Sequence, residues 1–125
     1  MTALLFGPDK PGPPQGPVEI VESSALCVEI KWRPPKDDGG SPVKNYMMER
    51  QQIGRNTWTK IGEIPGVPTY KDTNVENGRK YCYRIRALTE EGNSEMMETD
   101  DIMAGTLGEG YFLICNIKSS NYQID

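Results

Sequence analysis

At 125 residues, with 26% charged and 36% hydrophobic side chains, the chain is sized for one globular domain with a modest core and short tails. A net charge of −4, with no basic cluster longer than two residues, argues against nucleic acid or an anionic membrane surface as partner. No histidine is present, which removes Ser-His-Asp and Cys-His catalysis and imidazole-bound metals.

Three cysteines, Cys27, Cys82 and Cys115, are too few and too far apart for a disulfide framework or a zinc site. No Asn-x-Ser/Thr acceptor occurs. The apolar run Ala3 to Phe6 is too short for a signal-peptide core. Tyr111 to Cys115 is too short to cross a bilayer. These features lead to the expectation of a cytoplasmic chain.

Residues 1–10 read as a flexible leader. Pro11-Gly12-Pro13-Pro14-Gln15-Gly16-Pro17 follows, an extended and stiff segment barred from helices and central strands. It reads as a linker rather than a polyproline ligand, because no matched P-x-x-P pattern accompanies it. Val18 to Glu22 predicts a short strand with Val18 and Ile20 on one face. Leu26, Val28, Ile30 and Trp32 alternate with Cys27, Glu29, Lys31 and Arg33, predicting a half-buried strand that Pro34-Pro35 ends.

Lys36 to Pro42 reads as a polar loop. Val43 to Gln52 predicts a strand with Tyr46 and Met48 inward, and Ile53 to Asn56 a turn. Thr57 to Ile61 predicts a strand carrying Trp58. Pro65 to Pro68 breaks it, and Thr69-Tyr70-Lys71 is a short strand. Val75-Glu76-Asn77-Gly78 forms a corner. Tyr81, Tyr83, Ile85 and Ala87 then alternate with Cys82, Arg84, Arg86 and Leu88, predicting a strand with one apolar and one basic face. Glu95 to Ala104 is the last and weakest strand. No apolar 3.6-residue period persists, so no helix is predicted. About seven short strands between turns predict an all-β, two-sheet sandwich.

Several blocks carry a family resemblance. They are Ile30-Lys31-Trp32-Arg33-Pro34-Pro35-Lys36-Asp37-Asp38-Gly39-Gly40-Ser41-Pro42, Tyr46-Met47-Met48-Glu49-Arg50, Trp58-Thr59-Lys60, and Val75 through Ala87. In sequence and spacing these resemble a fibronectin type III domain. The W-x-P-P-x-D-D-G-G-S-P stretch is similar to the type III domains of intracellular muscle proteins. That group includes titin, myosin-binding protein C and the immunoglobulin-like and fibronectin type III domain-containing proteins. The resemblance covers residues 11–105 and implies a seven-stranded immunoglobulin-like β-sandwich. Residues 106–125 do not share it and read as an atypical, poorly ordered C-terminal tail. Within that tail, Tyr111 to Ile117 is apolar and β-prone, and could add to a sheet edge, hang free or dock a partner.

The resemblance also implies roles. Trp32 is the core tryptophan, and Tyr81 a corner tyrosine whose hydroxyl bonds a backbone group upstream. Tyr46, Tyr70, Tyr83 and Ile85 fill the core. Cys27 and Cys82 lie on strands that carry a disulfide in antibody-type domains. Their parity is opposite to the inward residues, so both thiols are expected unpaired and facing solvent. Asp37-Asp38 lacks the alternating oxygen spacing of a calcium loop and reads as solvated. Lys44, Arg50, Arg84 and Arg86 form a candidate partner-binding stripe, against the alternative of ordinary cross-strand pairing with Glu49.

No catalytic residue, cofactor or metal is expected. The function implied is a protein–protein interaction and spacer module of a sarcomeric or cytoskeletal protein, beside immunoglobulin and type III modules in a longer parent. The alternative is a type III module of an extracellular receptor or adhesion protein.

Overall fold

The computed structural model describes residues 8–105. The expectations for Ala3 to Phe6, Cys115 and the segment Tyr111 to Ile117 lie outside the described residues.

The described chain is all strand and loop, arranged as two antiparallel sheets. One sheet holds β1 (Gln15–Ser23), β2 (Val28–Arg33) and β5 (Thr69–Asp72), in the order β1-β2-β5. The other is built on β3 (Asn45–Gln52), β4 (Thr59–Pro65) and β6 (Lys80–Thr89), in the order β4-β3-β6. The free edge of β6 takes three short pieces: β7 (Gly92–Asn93), β8 (Met97–Glu98) and β9 (Ile102–Met103).

Alternation explains the core. Val28, Ile30 and Trp32 of β2 meet Tyr46 and Met48 of β3 and Tyr81, Tyr83, Ile85 and Ala87 of β6, all buried. Tyr70 of β5 is half-buried and packs against the same cluster. Trp32 and Tyr46 touch across the sheets edge to face, with ring centroids 5.3 Å apart. Removing such side chains from water contributes roughly 1.5–3 kcal/mol each, which makes closure of the two faces the main favourable term.

The last strand is where sequence and structure differ most. In place of one strand from Glu95 to Ala104, two hydroxyls interrupt the ladder. Ser94 Oγ accepts from the Ala87 amide at 2.8 Å and donates to the Glu95 carbonyl at 2.6 Å. Thr99 Oγ1 accepts from the Tyr83 amide at 3.0 Å and donates to the Asp100 carbonyl at 2.9 Å. Each side chain replaces a main-chain acceptor, so β6 stays satisfied while the strand beside it bends away in steps.

Other expectations shift for local reasons. Leu26, expected inward, is 80% exposed, because a turn closed by Ser24 ends only at Val28: Ser24 Oγ accepts from the Leu26 and Cys27 amides at 3.2 Å. Ile20 stands opposite the buried Ile30 on the side of Val18, yet is 53% exposed, because β1 is the edge strand of its sheet and an open cleft lies beside it. Trp58 lies just before β4, which runs on through Pro65. The proline-rich entry is not a free linker. Pro11 and Pro14 are buried, the Gly12 amide bonds the Asp37 carbonyl at 2.8 Å, and the Asp9 amide bonds the Gly39 carbonyl at 2.8 Å. Gly39 permits this approach. Its φ is +76°, and a Cβ there would lie 2.0 Å from the Asp9 carbonyl oxygen.

Candidate functional site

Strand register decides the fate of the cationic stripe. Glu49 stands opposite Lys60 of β4 and opposite Arg84 of β6, and Arg84 stands opposite Glu98 of β8. One row across four strands therefore reads Lys60, Glu49, Arg84, Glu98, with charge alternating at each step. Arg84 Nε lies 3.4 Å from Glu98 Oε1, and its guanidinium stacks on the Trp58 ring at 3.9 Å. In the next row Arg86 stands opposite Met47, itself opposite Glu63, and its Nη1 donates to the Ser94 carbonyl at 3.1 Å. Between the rows lies a shallow hollow of about 170 Å³, lined by Met47, Glu49, Lys60, Arg84 and Arg86 among others.

Arg50 does not belong to this face. It stands opposite Tyr83 and shares the inward parity of Tyr46 and Met48. Lys44 precedes β3 and is exposed, while its neighbour Val43 packs against the core. The candidate stripe of Lys44, Arg50, Arg84 and Arg86 is therefore corrected: alternation turns Arg50 inward, Lys44 lies outside β3, and Arg84 and Arg86 are matched to an acid and a carbonyl.

Arg50 instead ties the sheets together. Its Nη1 reaches both carboxylate oxygens of Asp72 on β5, at 2.9 and 3.0 Å. Tyr83 Oη donates to Asp72 Oδ2 at 2.7 Å, and the Asn74 amide donates to Oδ1 at 3.0 Å. Asp72 is 2% exposed, so this charge is desolvated and fully bonded. Burial, and then the Asp72 hydrogen bond and charge, hold the Tyr83 phenol well above the usual tyrosine range. The Arg50 guanidinium also lies 5.9 Å from the Tyr81 ring centroid, and Tyr81 Oη accepts from the Glu76 amide at 2.9 Å. Asp72 was missed in the sequence. Its signal was its parity: it shares the inward phase of Tyr70, as Arg50 shares that of Met48, so an acid and a base both point at the core.

Cys27 and Cys82 are free but buried, a correction to the solvent-facing expectation. Cys27 precedes β2 in the turn, where its amide bonds Ser24 Oγ at 3.2 Å. Cys82 is covered on the outer face, with Sγ 3.7 Å from Gln51 Oε1. Burial pushes both thiols up from the ordinary cysteine range. In the 37–40 loop, Asp37 Oδ1 accepts from the Gly39 amide at 2.8 Å and Asp38 Oδ1 from the Gly40 amide at 2.9 Å. Those carboxylates shape the loop. Among the described residues, no group of three or more His, Cys, Asp or Glu side chains is placed to hold a metal ion.

Two sheets closed over one core, tied by a corner tyrosine and an intersheet ion pair, define a non-helical β-sandwich module. The comparisons make the class specific: residues 12–100 match the profile of the Fibronectin type III domain, and the chain belongs to that family. Among curated relatives, fast-type myosin-binding protein C of Mus musculus is 36% identical over 88 residues, covering 70% of this chain and 8% of that protein. The titin homolog of Caenorhabditis elegans is 31% identical over 99 residues, covering 78% of this chain and, to the nearest percent, 0% of that protein. Both are muscle proteins, and the chain spans a small part of either. A solved structure of titin domains A168–A170 superposes with a TM-score of 0.71 at 26% identity, covering 79% of this chain and 34% of that one.

Proposed function

We propose that this chain is a non-catalytic protein–protein interaction and spacer module of a muscle sarcomeric or cytoskeletal protein, working beside immunoglobulin and type III modules. The observation that supports this most directly is the kinship with the titin homolog and fast-type myosin-binding protein C, at 31% and 36% identity across most of the chain. The architecture agrees with a passive role. Among the described residues, Asp72 is committed to Arg50 and Tyr83, and burial pushes the Cys27 and Cys82 thiols up from the ordinary cysteine range. What such a module offers a partner is its rigid outer surface, its loops and its sheet edges.

The test is localisation. A fluorescently tagged copy expressed in striated muscle cells is expected to show periodic banding in register with the sarcomere. A uniformly diffuse signal overturns the muscle assignment.

A further inference from the structure

Between the edges of the two sheets lies a cleft of about 340 Å³, within the range of roughly 300–1,000 Å³ typical of binding pockets. Val18 and Ile20 of β1 form one wall, and Met97 and Ile102 of the last strand form the other. Glu98, Asp100 and Asp101 supply the charge, and among the described residues no Lys or Arg lines the cleft. Glu98 is matched by Arg84, whereas Asp100 and Asp101 are exposed.

The two edges flanking the cleft are not zipped together. Among the described residues β1 pairs with β2 alone, while β8 and β9 pair with β6. Ser23 Oγ donates to the Met103 carbonyl at one end of the cleft. The steps imposed by Ser94 and Thr99 break the last strand beside the cleft, and the register shifts of β1 break the opposite wall. Apolar surface remains uncovered there, with Ile20 at 53% exposure.

We propose that this cleft receives an extended segment of a protein partner in which apolar residues alternate with Lys or Arg. A strand's period of two sends one set of side chains in toward Val18, Ile20, Met97 and Ile102, and the other out to Asp100 and Asp101. The edge of β1 at residues 16–20 supplies main-chain groups, as in strand addition to a sheet. The acidic rim selects against acidic segments and, within the net charge of −4, steers basic ones. This deepens the reading of the chain as an interaction module and rests on it.

The probe is a heptapeptide alternating lysine and valine, titrated into the full 15N-labelled chain. Saturable shifts confined to residues 16–20 and 97–102 are expected, weakened at least about tenfold in D100N/D101N and by raising salt to about 0.5 M. The matching glutamate–valine peptide is expected to give none. Circular dichroism verifies that the variant is folded, and I20R, which spoils the apolar wall and leaves the acids, is expected to weaken binding as well. Shifts elsewhere, equal binding of both peptides, or unchanged affinity in both variants overturn the proposal. Contacts to Ile20 from Tyr111–Ile117, or from a second copy, in the peptide-free chain also overturn it, since the cleft then has another occupant. If the peptide fails while muscle banding persists, the interaction reading stands and only this cleft is wrong.

Discussion

Asp72 is a carboxylate buried between the two sheets. A carboxylate 2% exposed is tolerated because Arg50, Tyr83 and the Asn74 amide together satisfy it. Removing the charge strands the guanidinium of Arg50, whose side chain is itself only 15% exposed. Asp72→Asn is expected to lower stability by about 3–5 kcal/mol, read as a fall in the urea midpoint. Asp72→Asn combined with Arg50→Met is expected to recover part of that loss, because the orphaned charge goes with it. A single variant no less stable than the parent would show that the ion pair contributes nothing to holding the sheets together.

The last strand depends on two hydroxyls. Ser94 and Thr99 are buried, and each takes an amide of β6 that a regular strand would have met with a carbonyl. Thr99→Val keeps the shape and leaves the Tyr83 amide without that acceptor. It is expected to cost about 1–3 kcal/mol and to speed hydrogen exchange at the Tyr83 amide more than at Ile30 in the opposite sheet. Equal acceleration in both sheets would mean that the strand is not locally pinned. Sequence patterning could not show this arrangement. Glu95 to Ala104 lacks a clean alternation, and a hydroxyl replacing a carbonyl leaves no periodic trace. By contrast β2, β3 and β6 were legible within a few residues, because each buries one face and alternation follows directly. The four-residue cationic stripe failed at the same scale. Its members share a charge, whereas parity turns Arg50 inward and strand register sets it across from Tyr83.

Folding of the whole molecule is linked to pH through its buried weak acids. Tyr83, Tyr46 and Tyr70 are held above the ordinary tyrosine value, and Cys27 and Cys82 above the ordinary thiol value, in every case chiefly by burial. Raised values mean that the folded state keeps protons the unfolded chain releases. Their contribution is complete below about pH 8.5, where unfolded thiols begin to ionise, and falls again past about pH 10 with the tyrosines. Denaturant midpoints are therefore expected to decline steadily above pH 9. Tyr83→Phe should flatten the part above pH 10 while lowering stability at neutrality. A flat profile to pH 11 would contradict the buried phenol.

The residue order by itself determined that this protein is an all-β sandwich of the type III family. Apolar alternation and turn residues act locally, and the blocks around Trp32 and Tyr81 survive in linear spacing. The tertiary structure alone decided which charges meet. Arg50 and Asp72 are 22 positions apart and on different sheets, and Lys60, Glu49, Arg84 and Glu98 fall into one row only after strand register is set. The acid-rimmed cleft likewise exists only because two distant segments, β1 and the broken last strand, come to lie side by side with no ladder between them.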